Sequence, residues 1–199
     1  PASITKIMTL YLTFEALEKG RLQLDQQLPV SANAATVPWG LPLRPGMTIT
    51  VEEAILGLIT KSANNAATVI AETMAGSETA FAQIMTVRAR RLGMNSTTFR
   101  NASGLPDPRQ ITTARDFTVM ARAMLRDHAK YYPLFATRGF TFRGNFYHNH
   151  NRLLDQFEGL DGIKTGFVNA SGYNLVASAE RGGRRLIGVV MGGNSAASR

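Results

Sequence analysis

The sequence predicts an α/β (α+β) domain: a mainly helical first two-thirds, then an antiparallel sheet flanked by helices. Two patterns and one compositional argument carry this. Apolar residues recur at helical spacing in successive segments up to about residue 128, whereas three β-favouring apolar runs joined by short Gly-containing turns close the chain. With 199 residues, 44% hydrophobic and 18% charged, the chain can bury a core unaided and is too uncharged for a polyelectrolyte or a coiled coil.

The first element spans residues 4–19, where Ile4, Ile7, Met8, Tyr11, Phe14 and Leu17 share one stripe and Gly20 provides the stop. From residue 21 to 50, Pro29, Pro38, Pro42, Pro45 and Gly46 punctuate short polar runs, which predicts turns and brief extended pieces. Helical spacing returns over 51–59 and 64–74 around a break at Lys61-Ser62. Ser77 then caps a helix that runs to Leu92 and closes at Gly93. Thr113 caps another, carried to about His128 by Phe117, Met120, Ala121, Met124 and Leu125. After Pro133, Phe140, Phe142, Phe146 and Tyr147 mark a β-favouring segment. Residues 162–167, 173–179 and 185–191 read as strands, separated by Asn169-Ala170-Ser171-Gly172 and Arg181-Gly182-Gly183. Their near-continuous apolar character predicts cover on both faces. Residues 1–20, 21–135 and 136–199 are thus a first helix, a helical lobe and a terminal sheet within one domain, 1–199.

Cysteine is absent, which excludes disulfides, thiolate metal sites and a cysteine nucleophile. No apolar run approaches the ~20 residues that span a bilayer. The 22 Lys+Arg against 14 Asp+Glu give a formal charge of +8, but no aromatic ladder or nucleic-acid motif accompanies the basic residues, so no nucleic-acid partner is expected. His128, His148 and His150 are the three histidines, and no metal is expected: the His148-x-His150 pair has no nearby carboxylate and reads as an exposed loop.

Three short elements carry chemistry. In Ser3-Ile4-Thr5-Lys6 the hydroxyl and ammonium sit one helical turn apart, and an adjacent amine is the base a serine needs. Alone, such a pair arises by chance roughly once in a chain of this length, and a capped, solvated helix start is the bland alternative. Ser62-Ala63-Asn64 lies at a break where side chains can enter a cleft; its hydroxyl can relay a proton and its amide can hold a lysine or a peptide carbonyl, though both residues are also ordinary caps. Lys164-Thr165-Gly166 offers a charge, a hydroxyl and a glycine that admits a ligand backbone beside a strand. It is the most specific of the three, expected by chance about once in twenty such chains.

In this order, on helix, loop and strand, the three elements resemble the signature of penicillin-binding proteins and serine β-lactamases. The chain resembles, across nearly all its length, the low-molecular-mass penicillin-binding proteins that act as D-alanyl-D-alanine carboxypeptidases. Further blocks that look like family sequence are Leu92-Gly93-Met94, Asp161-Gly162-Ile163-Lys164-Thr165-Gly166, Gly172-Tyr173-Asn174-Leu175-Val176-Ala177-Ser178-Ala179 and Val189-Val190-Met191-Gly192-Gly193.

The resemblance implies the penicillin-binding fold, with a cleft where the helical lobe meets the sheet. It implies that Ser3 attacks the penultimate D-Ala carbonyl of a peptidoglycan stem peptide, forming an acyl-enzyme that water hydrolyses, with no cofactor. Lys6 would be the base, Ser62 would bridge Lys6 to Lys164 and protonate the leaving amine, and Asn64 would hold Lys6 and the substrate amide. Lys164, Thr165, Gly166 and Arg199 would take the terminal carboxylate and adjoining backbone, and the N–H groups of Ser3 and Phe167 would form the oxyanion hole. β-Lactam antibiotics would acylate Ser3. The expected location is periplasmic or otherwise extracytoplasmic, with membrane association only through segments outside this chain.

Two departures stand out: Asn65 where many relatives carry Asp, and Phe167-Val168 in place of a polar pair, which alters the pocket wall. Family members also place two strands before the nucleophile helix, and without them two sheet-edge positions would be unpaired. A class A β-lactamase would need a Glu-x-x-x-Asn run between Ser62 and Lys164, which is missing. A D,D-endopeptidase of the same family and a catalytically idle cell-wall-binding protein are the alternatives.

Overall fold

The computed structural model describes residues 1–199. A single 3-10 turn, Ala2–Thr5, leads into helix α1, Lys6–Glu18, whose first nine residues are all buried. A helix buried all round belongs at the centre of a molecule, and α1 packs against helices of the lobe on several sides.

The proline-rich stretch forms two brief strands, β1 (Gln27–Pro29) and β2 (Thr48–Thr50), paired antiparallel on either side of the short helix α2 (Ala32–Thr36). Helix α3, Val51–Leu56, begins with a capping box: the Thr50 hydroxyl accepts from Glu53 N–H while the Glu53 carboxylate accepts from Thr50 N–H. Its ladder widens into a π turn, Gly57–Lys61, and breaks at Ser62, which takes the left-handed conformation (φ 59°). The expected break is therefore real, and its cause is backbone geometry rather than a proline or glycine.

Helices α4 (Asn64–Ala75), α5 (Glu78–Leu92) and α6 (Ala114–Asp127) complete the lobe. Ser77 and Thr113 cap α5 and α6 as the sequence predicts, and Gly93 ends α5 at φ 91°. Next comes a hairpin of β3 (Gly139–Phe142) and β4 (Asn145–His148), then the one-turn helix α7 (Leu153–Gln156). The sheet consists of β5 (Leu160–Val168), β6 (Gly172–Arg181) and β7 (Arg184–Gly193), antiparallel in that order. One continuous apolar core joins α1 and the lobe to the sheet through Ile163 and Val176.

The expectation of cover on both faces holds for the middle of β5 and β6 but fails for β7. That strand alternates along its whole length: Ile187, Val189 and Met191 pack toward the core under α6, whereas Leu186 (77% exposed), Gly188 and Val190 point away from it. Apolar residues on both faces predict two layers of cover, but at β7 only the face under α6 is covered.

Candidate active site

The 3-10 turn Ala2–Thr5 is wedged between two backbones that only glycine allows so close. A Cβ at Gly104 (φ 88°) would lie 1.9 Å from the Ala2 carbonyl oxygen, and one at Gly166 would lie 2.9 Å from Ser3 N. The turn is thus pinned between the loop after α5 and strand β5, with Ser3 at the floor of a cleft of about 880 Å³. The N–H groups of a first turn have no intrahelical acceptor and are free to donate to a ligand.

Lys6 is fully buried beside Ser3. Its Nζ lies 2.6 Å from Asn64 Oδ1, 2.6 Å from the Ser103 carbonyl oxygen and 3.1 Å from Ser3 Oγ. Two of these partners can only accept, so they fix two N–H bonds, and in the neutral amine the remaining lone pair faces the Ser3 hydroxyl. Burial, helped by the Lys164 charge and opposed by Glu78, holds the Lys6 pKa well below that of an ordinary lysine. Lys164 is also buried; its Nζ donates to the Thr165 carbonyl at 3.2 Å, and burial together with the Arg199 charge lowers its pKa to about 7.

The other residues singled out in the sequence converge on this cleft: Ser62, Asn64, Thr165, Gly166, Phe167 and Arg199 line it with Ser3. Asn64 holds Lys6 through Oδ1 while its Nδ2 donates to the Pro38 carbonyl (3.0 Å), leaving one amide N–H for a ligand. The expected bridge from Lys6 through Ser62 to Lys164 is not made: Ser62 Oγ is buried with no hydrogen-bond partner, and Lys6 turns to the Ser103 carbonyl instead. Arg199 donates to the Gly166 carbonyl (3.3 Å) and rests its guanidinium on the Tyr173 ring, 5.4 Å from the centroid. Phe167, half-exposed, packs on the same tyrosine, with Phe167 and Tyr173 centroids 4.4 Å apart.

Sequence reasoning missed three contributors. The Ser103 carbonyl is presented by a loop organised by Asn101, whose side chain accepts from Gly104 N–H and donates to the Leu105 carbonyl; Asn101 and Gly104-Leu105-Pro106 were the available signal. His150 stands in the exposed loop that the sequence predicts and also lines the cleft; partial burial and the charges of Lys164 and Lys61 lower its pKa to about 4, so it is neutral at pH 7. Trp39, between a proline and a glycine, stands at the cleft rim.

A family model described as D-alanyl-D-alanine carboxypeptidase matches residues 1–195. Among characterised relatives, the D-alanyl-D-alanine carboxypeptidase DacC of Escherichia coli (strain K12) is 38% identical over 96% of this chain and 50% of its own length. DacF of Bacillus subtilis (strain 168) is 35% identical over 100% of this chain and 52% of its own. The chain therefore spans about half the length of the curated relatives it matches. The crystal structure of the carboxypeptidase DacD from Francisella tularensis superposes with a TM-score of 0.95 at 30% identity, covering 100% of this chain and 61% of that one. Penicillin-Binding Protein D2 from Listeria monocytogenes, solved in an ampicillin-bound form, gives 0.86 at 32% identity, covering 100% and 82%.

Proposed function

The chain belongs to the D-alanyl-D-alanine carboxypeptidase family, and on that footing we propose that its cleft removes the terminal D-alanine from peptidoglycan stem peptides through an acyl-enzyme on Ser3. The observation that carries this reading is the placement of Lys6 Nζ, 2.6 Å from each of two fixed carbonyl oxygens and 3.1 Å from Ser3 Oγ, in a buried setting that holds its pKa well below that of an ordinary lysine. A serine beside an ordinary ammonium would be inert; a serine beside a neutral, oriented amine is a nucleophile.

In this mechanism Ser3 Oγ adds to the penultimate carbonyl as its proton passes to Lys6 Nζ. The oxyanion is held by the N–H groups of Ser3 and Phe167. When the C–N bond breaks, the leaving amine takes the proton that Lys6 accepted, relayed by the hydroxyl of Ser62, which lines the same cleft. Water then attacks the ester, giving a proton to Lys6, which passes it to Ser3 Oγ as the acyl C–O bond breaks and the acid is released. Lys164, Thr165 and Arg199 take the substrate's terminal carboxylate; the guanidinium of Arg199 has no carboxylate partner of its own in the cleft, and Gly166 lets the peptide lie beside β5. β-Lactams would acylate Ser3 by the same first step. The substrate class points to work outside the cytoplasm, and no helix of the chain is long and apolar enough to cross a membrane.

The test is release of D-alanine from a stem-peptide mimic ending in D-Ala-D-Ala. The wild-type protein is expected to release it and Ser3→Ala to release none. Equal release by both would refute the assignment.

A further inference from the structure

Trp39 is the only tryptophan of the chain, and it is 75% exposed. Its flanking backbone is nevertheless held on both sides. Asn64 donates from Nδ2 to the Pro38 carbonyl (3.0 Å) and from its backbone N–H to the Trp39 carbonyl (3.3 Å). The Asn65 amide pairs with Leu41 in both directions, accepting at 3.0 Å and donating at 2.7 Å. Gly40 lies so close to Asn65 that a Cβ there would fall 2.0 Å from its Oδ1. In this clamp Trp39 takes φ 57°, a left-handed conformation that a bulky side chain avoids.

Strain at a large aromatic is ordinarily offset by burying the ring, and here the ring is not buried. Glycine or asparagine would satisfy the same turn without strain. The clamp therefore presents the indole to something outside the free protein, and Trp39 lines the same cleft as Ser3. The two Asn residues that hold it belong to the α4 start that also supplies Asn64 to Lys6, so the ring is placed rigidly relative to the reacting groups.

We propose that Trp39 is a specificity-determining platform that stacks on the side chain of the residue preceding the penultimate D-alanine, and that it selects a long, unbranched aliphatic chain there. This rests on the carboxypeptidase reading above. Both terminal D-alanines carry only a methyl group, and the last carboxylate is accounted for by cationic and hydroxyl groups on the β5 side. The first substrate atoms large enough to cover an indole therefore belong to the preceding residue. A straight alkyl chain lying flat on the ring removes apolar area of both from water. Lys61 at the rim disfavours a free ammonium at the end of that chain, so the matching side chain is one whose terminal amine is acylated.

The experiment compares kcat/KM for diacetyl-L-Lys-D-Ala-D-Ala, acetylated on both amines, with that for acetyl-L-Ala-D-Ala-D-Ala. The ratio is taken within each protein, so any general defect in folding or chemistry cancels. Wild type is expected to prefer the lysyl peptide about fivefold to tenfold, the worth of one aromatic stacking contact. Trp39→Ala and Trp39→Gly should bring the ratio close to one, Trp39→Phe should keep part of it, and Trp39→Gly should melt at a higher temperature because the strain is gone. Because Trp39 is the sole tryptophan, its emission in Ser3→Ala should change on titration with the lysyl peptide and much less with the alanyl peptide. A ratio unchanged in Trp39→Ala, with both peptides still hydrolysed, would overturn the platform and leave the carboxypeptidase reading standing. Failure of the wild-type protein to hydrolyse either peptide would overturn that reading and the platform with it.

Discussion

The hydrogen-bond arrangement at Lys6 converts residue identity into reactivity. An arginine at that position would keep its charge at every accessible pH, so Lys6→Arg is expected to lose acylation by about 10²–10⁴-fold, the usual span for a positioned base. In the wild-type protein the acylation rate should rise with pH as Lys6 loses its proton, and the rise should come well below the pH at which an ordinary lysine titrates. A rate–pH curve rising only above pH 10 would contradict this. Lys164 carries a related cost. Its folded-state pKa of about 7 against an ordinary 10.5 means that the folded protein binds fewer protons than the unfolded chain between those values. The resulting destabilisation is full below pH 7 and fades as the pH climbs toward 10.5. Lys164→Met is therefore expected to be inactive yet more stable at pH 7 by about 1–3 kcal/mol, with the difference shrinking in denaturant melts at pH 10.

Elements matter here through how closely their backbones approach. Strand β5 and the loop carrying Ser103 both touch the turn that holds Ser3, and Gly166 and Gly104 are the positions of contact. Gly166→Ala would put a methyl group 2.9 Å from Ser3 N and 3.1 Å from Ile4 N, forcing turn and strand apart. Displacement by even a fraction of an ångström spoils attack geometry, so β-lactam acylation should slow about 10²-fold, with far-UV circular dichroism unchanged. An unaltered acylation rate would show that the turn tolerates the shift. This scale also separates what sequence shows from what it hides. Helix caps at Ser77 and Thr113 and the stop at Gly93 were legible because each is a local choice between one side chain and its own backbone. The Ser103 carbonyl was not, because any residue type supplies a carbonyl and only tertiary packing decides which one meets Lys6. The cover of β7 was misread for a related reason: Leu186 and Val190 are apolar whatever stands opposite them, so alternation of burial appears only once the helices are in place.

For the whole molecule, the cleft is a seam. The 3-10 turn and the start of α1 carry Ser3 and Lys6 from the centre of the core, the lobe brings Ser62 and Asn64 at the strained join between its π turn and α4, and the sheet supplies residues 164–167. The groups gathered there come from positions as distant as 3 and 199, which is why no single motif carried conviction while the three in order did. Order and spacing marked Ser3, Lys6, Ser62, Asn64 and residues 164–166 together as candidates, and the fold gathers them; the platform at Trp39 was not legible, because its meaning depends on a clamp formed by Asn64 and Asn65, distant in the chain.

The central claim is that this seam forms an acyl-enzyme on Ser3, and it is tested most directly by incubating the folded protein with benzylpenicillin and mapping the adduct by peptide mass spectrometry. The expected result is one penicilloyl group on the peptide containing Ser3 and none in Ser3→Ala. A folded wild-type protein that acquires no adduct, or acquires it at another residue, would contradict the claim.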